Sequence, residues 1–282
     1  MKTLISILKN IGVIALAILV MVVGTIPGNY LMEVLPGPYL DHIIVCIVTI
    51  ACVMLLAWLL STKVLKISAD ELGIKPRKIK LLYVLLAILL PIAILIFYTV
   101  LSGRAYVADG VELAPSIVYA IFSAGLMAGV TEEVIFRGII FRYMKKTLGT
   151  TVAVIVPAVL FAALHITNME TFNLTDLILL LLAGSSVAVM FTLMALKSGT
   201  IYLGAIAHSV WNMLIIGGIF GVGGIVNGMD NYSYLIIPIE SQSKLLTGGN
   251  FGVEAAVPAI VGYIIVAVLV YVIDKKPLKN GK

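Results

Sequence analysis

Charge is scarce in this 282-residue chain. Asp, Glu, Lys and Arg make up 12% of it and hydrophobic residues 61%, whereas soluble domains carry roughly 25% charged residues. That scarcity excludes an ordinary water-soluble domain, and no segment between the apolar runs is long enough to hold one. Cysteine is nearly missing too. Cys46 and Cys52 fall six apart on one predicted helix, a placement that does not let them bridge, so both are read as packing residues. Internal repeats and low-complexity tracts are missing, as is an H-E-x-x-H zinc signature. The first apolar run is followed by Pro27-Gly28-Asn29 without a small-residue cleavage pattern, which argues for a retained span over a secretion signal.

What is present is apolar sequence in long runs. About eight segments approach the ~20 residues a helix needs to cross the hydrocarbon, near 4–26, 42–62, 80–101, 114–140, 149–166, 175–196, 200–221 and 255–273. The expected fold is therefore all-α, a single polytopic membrane domain over 1–282 with about eight transmembrane helices.

The net charge of +5 could point to nucleic acid, but the basic residues follow the loops. Lys63, Lys66, Lys75, Arg77, Lys78 and Lys80 crowd the link between spans two and three. Arg142, Lys145 and Lys146 follow span four, Lys197 follows span six, and Lys275, Lys276, Lys279 and Lys282 close the chain. Alternate loops hold only Arg104 and Lys244. The positive-inside rule then puts both termini in the cytoplasm, and the expected partner is the bilayer, not a nucleic acid. SADELGIKPRK is expected as a short cytosolic loop or surface helix. The long link 221–254 is open between a disordered segment, a re-entrant one and a cover over an opening. Asn-x-Ser/Thr matches at Asn173 and Asn231 are too common by chance to carry weight.

Against this background the stretch GVTEEVIFRGIIF, residues 129–141, stands out. A charged side chain at mid-bilayer costs roughly 2.5 to 3.5 kcal/mol on insertion scales, yet Glu132, Glu133 and Arg137 share one helix. Glu133 and Arg137 are four apart in the favourable acid-first order and can neutralise each other. Glu132, about 100° around the helix, is left over. His165 closes span five one turn after Phe161, and His208 lies in span seven one turn before Asn212. An acid, two imidazoles and a carboxamide from three helices can converge in a bundle interior, where helical membrane proteins build sites. Counted from the cytosolic edge, Glu132 is about ten residues or roughly 15 Å deep, and His208 matches it. His165, at about sixteen residues, is too deep on the same scale of 1.5 Å per residue unless its span tilts or kinks at Pro157.

A carboxylate in a low-dielectric cavity accepts a proton from an adjacent water more readily, and an imidazole can share that water. A forming oxyanion needs donors, which an imidazole N–H and an amide NH₂ supply. Glu132 with His165, and His208 with Asn212, fill these roles for hydrolysis of a peptide bond within the membrane. A serine hydrolase is disfavoured: Ser209 is adjacent to His208 and points about 100° away, and Ser185 and Ser186 lack a nearby base in sequence. The hydrolytic reading requires no cofactor. Zinc is an alternative, with His165, His208 and Glu132 as candidate ligands of a three-ligand centre. An ion-coupled transporter would be expected to show paired inverted halves or interrupted helices, and neither is seen.

Glu132-Glu133-x-x-x-Arg137, Phe161-x-x-x-His165 and His208-x-x-x-Asn212, in that order on predicted spans four, five and seven, resemble the motifs of the CPBP family. This family groups type II CAAX prenyl endopeptidases with bacterial relatives, also called Abi proteins. The resemblance covers about 114–221. It implies an eight-helix intramembrane peptidase in which Glu132 activates water with His165, His208 and Asn212 hold the oxyanion, and Glu133 with Arg137 supports them. The implied partner is a membrane-associated peptide or protein substrate. The compact chain and short loops resemble a bacterial member of the plasma membrane, linked to bacteriocin immunity or peptide processing. From another class, the rival is a non-catalytic binding partner in immunity or signalling.

Overall fold

The computed structural model describes residues 2–35, 37, 39–75, 77–169, 171–223 and 233–273. Asn231 and the four C-terminal lysines lie outside them. Among the described residues, besides the short turn Lys244–Thr247, eight long helices form the bundle: α1 (Lys2–Val34), α2 (Leu40–Val64), α3 (Leu81–Ser102), α4 (Leu113–Leu148), α5 (Thr150–Leu164), α6 (Leu174–Ser198), α7 (Tyr202–Ile216) and α8 (Val257–Ile273). Seven helical stretches are long and apolar enough to span a bilayer, so the chain is an all-α polytopic membrane protein. Outward faces carry large apolar side chains, Val100 being 76% exposed, as a lipid-facing surface does and a water-facing one does not.

Span seven is shorter than the expected 200–221. The helix stops at Ile216, where Gly217 packs against α4, a Cβ there lying 2.6 Å from that of Ala120, and Gly218 turns the chain in the left-handed region at φ 76°. The apolar residues that follow become a strand. Tyr106–Val107 (β1), Phe220–Val222 (β2) and Leu235–Ile237 (β3) make a small sheet ordered β1-β3-β2, antiparallel between β1 and β3 and parallel between β3 and β2. Apolar periodicity does not separate such a short strand from the end of a helix.

Two apolar cores hold the bundle. One joins α3, α6, α7 and α8, around Tyr98, Phe191, Trp211 and Tyr263. The other joins α1, α2, α4 and α5, around Val53, Phe136, Phe141 and Phe161. They meet at α6, where Phe191 belongs to the first and Ala188 to the second. At one end the segment after α2 is a loop with turns at 69–73, not a helix. It closes on α7: the Gly73 carbonyl accepts from Ile201 N at 3.0 Å and Thr200 Oγ1 at 2.8 Å. Gly199, at φ 73°, ends α6 in a left-handed turn that suits a glycine. Asn173 has a local structural use: its Oδ1 caps α6, accepting from Thr175 N at 3.0 Å and Asp176 N at 3.2 Å. Cys46 and Cys52 are free thiols, the first buried.

Candidate active site

Close helix contact comes first. A Cβ on Gly129 of α4 would lie 2.3 Å from Ser209 Oγ and 2.8 Å from Ser209 N, and one on Gly204 of α7 would lie 2.5 Å from Glu133 Oε2. Small residues at these positions let α4 and α7 approach backbone to backbone, as membrane helices do. The approach puts the Glu132-Glu133 turn against the face of α7 that carries His208. Residues 134–140 of α4 and 212–216 of α7 are wound as π-helix, a local widening common beside functional sites.

Glu133 and Arg137 form the expected pair, fully buried, with Arg137 Nη1 donating to Glu133 Oε1 at 2.6 Å. Arg137 Nη2 donates to the Ala188 carbonyl at 3.1 Å. Its guanidinium carbon lies 5.1 Å and 5.2 Å from the ring centroids of Phe161 and Phe191, within cation–π range. Phe161 thereby supports the charge pair as well as the turn that carries His165. A paired buried carboxylate only accepts, so His208 Nδ1, 3.3 Å from Glu133 Oε1, carries its hydrogen there. The imidazole stacks on Phe191, centroids 4.9 Å apart and planes 17° from parallel.

With Nδ1 committed, His208 Nε2 faces Glu132 Oε2 at 3.8 Å. That separation is within ion-pair range but beyond a hydrogen bond. Glu132 Oε2 has no hydrogen-bond partner among the described residues. His165 is arranged differently. Its Nδ1 lies 2.8 Å from the Phe161 carbonyl, which can only accept, so the neutral ring keeps its Nε2 lone pair free.

Glu132, Phe161, His165, His208 and Asn212 line one cavity of about 240 Å³. It lies where α5 and α7 end and α6 and α8 begin. This removes the difficulty with His165: α4 runs 36 residues, roughly 50 Å at 1.5 Å per residue, so counting from Arg142 does not measure depth. Asn212 Nδ2 donates one hydrogen to the Ala124 carbonyl at 3.0 Å, and its second remains for another acceptor. Ser209 packs against Gly129, and Ser185 and Ser186 face a separate apolar groove between α6 and α8. Among the described residues no three His, Cys, Asp or Glu side chains are grouped as metal ligands. The placement does not fit a three-ligand zinc centre, and no step below passes through a metal.

Sequence reasoning missed Glu254. It sits in the 3₁₀ segment Gly249–Ala255, kinked at Gly252, that leads into α8, and it lines the same cavity with Phe251 and Ala255. Of the described part of the long link after α7, Phe251 and Glu254 form part of the cavity wall. The available signal was one acid in the otherwise apolar stretch FGVEAAVPAI.

Residues 114–214 match the family model described as type II CAAX prenyl endopeptidase Rce1-like, which takes in all three motifs. No curated protein and no solved structure matches the chain.

Proposed function

We propose, from the match of residues 114–214 to the type II CAAX prenyl endopeptidase Rce1-like family model, that the protein is an intramembrane endopeptidase that cuts a membrane-associated peptide or protein with an activated water. The observation that carries this reading is the convergence of Glu132, His165, His208 and Asn212, from three helices, on one cavity.

In this mechanism a water sits between Glu132 and His165 Nε2, gives up a proton to them and attacks the scissile carbonyl. The oxyanion accepts from the free N–H of Asn212 and from His208 Nε2–H. That second donor requires a proton on His208 Nε2, and Glu133 stabilises the resulting imidazolium through Nδ1. As the intermediate collapses, Glu132 returns its proton to the leaving amine. Glu133 and Arg137 touch no substrate; they fix the ring that does.

The orientation follows from charge. The described loops at the cavity end carry only Arg104 and Lys244, paired with Glu240 and Asp176, and the opposite end carries the basic clusters. Both termini are then cytoplasmic and the cavity lies in the outer half of the membrane, with a bacterial plasma membrane and processed or immunity-related peptides as the setting.

The test compares membrane-peptide profiles of cells carrying wild type and Glu132→Gln at equal protein levels. A peptide that accumulates in the variant, together with its missing fragment, is the expected result. Identical profiles, with the same phenotype for Glu132→Gln and His165→Ala, would identify a non-catalytic binding partner instead.

A further inference from the structure

Glu254 is the one carboxylate among the described residues of the cavity that the hydrolytic mechanism leaves unused. Glu254 lines the cavity together with Glu132, His165 and His208. Only its backbone carbonyl is engaged, by Tyr263 Oη at 3.1 Å; among the described residues its side chain has no hydrogen-bond or ion-pair partner.

The segment that carries it is fastened at several points. Lys244 Nζ pairs with the buried Asp176 at 2.9 Å, and Tyr98 Oη donates to the Leu246 carbonyl at 2.7 Å. Asn250 Nδ2 reaches the Thr171 carbonyl at 3.3 Å. Glu254 is therefore a fixed part of the cavity wall.

Among the described residues no Lys or Arg lines the cavity, and Arg137 behind it is matched by Glu133. The space between Glu132 and Glu254 thus faces two carboxylates and two imidazoles. A carboxylate that is poorly hydrated and unpaired is costly until an opposite charge arrives. An acidic group entering here would add a third negative charge to an enclosed space.

We propose that Glu254 is a specificity-determining residue that receives a cationic group, an ammonium or guanidinium, carried by the substrate peptide beside the bond to be cut. This deepens the peptidase reading and rests on it. The cation is either a Lys or Arg side chain or a free peptide N-terminus, and both present the same chemistry to the carboxylate.

The test measures binding separately from cleavage. Full-length Glu132→Gln protein in detergent is titrated with labelled N-acetylated peptides of one apolar sequence, carrying Lys, Met or Glu at successive positions, and with the Met peptide bearing a free N-terminus. Fluorescence anisotropy gives each Kd. The expected result is a Lys peptide, or the free-amine peptide, bound about tenfold more tightly than its neutral counterpart, with the Glu series weakest. Which of the two gains identifies the source of the cation. Adding Glu254→Gln brings the cationic-to-neutral ratio to about one, and Glu254→Asp, which keeps the charge, restores most of the tenfold difference.

A ratio near one with Glu254 present, a ratio that survives Glu254→Gln, or no binding by any peptide would overturn the proposal. Failure of the peptidase reading looks different: wild type would cut none of the peptides while the Glu254-dependent ratio persisted. Cleavage by wild type without charge preference would leave the peptidase reading standing and remove this one.

Discussion

Glu132 and Glu133 are neighbours in sequence and occupy opposite kinds of surroundings. Behind α4, Glu133 is fully buried and saturated on one oxygen: Oε1 takes both Arg137 and His208, and aromatic rings pack around the guanidinium. In front, Glu132 faces a cavity with its side chain 23% exposed, and its nearest ionic neighbour is 3.8 Å away. One turn of helix therefore divides a dry, paired region from a roomy, underpaired one. The first can supply position and fixed charge, and the second can hold water and exchange protons. Swapping the roles would fail, because Glu133 Oε1 already holds Arg137 and His208 and Glu133 does not line the cavity where a water could reach it.

The comparison breaks hardest at Glu132. Glu132→Gln keeps shape and removes the proton acceptor, so peptide cleavage by purified protein is expected to fall about 10²- to 10⁴-fold, while the unfolding temperature stays within error or rises. A variant that loses stability in parallel with activity would place Glu132 with its neighbour, among the structural groups.

Arg137→Met tests the other side. It leaves Glu133 buried without its counter-charge, and breaking such a pair costs about 3–5 kcal/mol, read as a lower unfolding temperature in detergent and poor accumulation in membranes. The double variant Glu133→Gln/Arg137→Met removes both charges and is expected to recover much of that stability but not activity, since His208 Nδ1 loses its anionic partner. Equal destabilisation by the single and double variants would show that packing of the guanidinium, not charge balance, is what counts.

Asn212→Ala sharpens the division within the cavity. Removing one oxyanion donor typically lowers kcat about 10²- to 10³-fold, and KM is expected to change little because the interaction belongs to the transition state. A rise in KM alone would make Asn212 a substrate-binding group.

How much of this was legible beforehand follows the same division. The helices and the paired region were readable, because long apolar runs and an i,i+4 acid–base pair are local patterns. Spans four, five and seven could be ordered from three short motifs, but which face of each helix meets the others depends on Gly129 and Gly204, whose role exists only once α4 and α7 touch. Glu254 lies 42 residues beyond Asn212 in a segment without periodicity, and only the return of the chain over the cavity brings it to the site. The strand at 220–222 was hidden for a related reason: an apolar run says that a segment is buried and not what conformation buries it.

The smallest effects belong to the basic end of the bundle, far from both regions. Arg77 pairs with Asp70 at 2.9 Å and Lys146 with Glu71 at 3.1 Å, all well exposed. The hydrogen bond from Arg77 holds the Asp70 carboxyl below its ordinary value, and the backbone N–H of Ser68, followed by Lys146, does the same for Glu71. Depressed folded-state values mean that any stabilisation is present above the unfolded carboxylate values, near ~4, and disappears as pH falls through the lower folded ones. Lys146→Ala is therefore expected to leave the unfolding temperature nearly unchanged from about pH 5 to 8, because exposed pairs are screened by water and salt. A large loss from this variant, comparable with that of Arg137→Met, would mean that the clasp between residues 68–73 and the start of α7 transmits strain to Gly204 and Glu133, and that the paired region extends to the membrane edge.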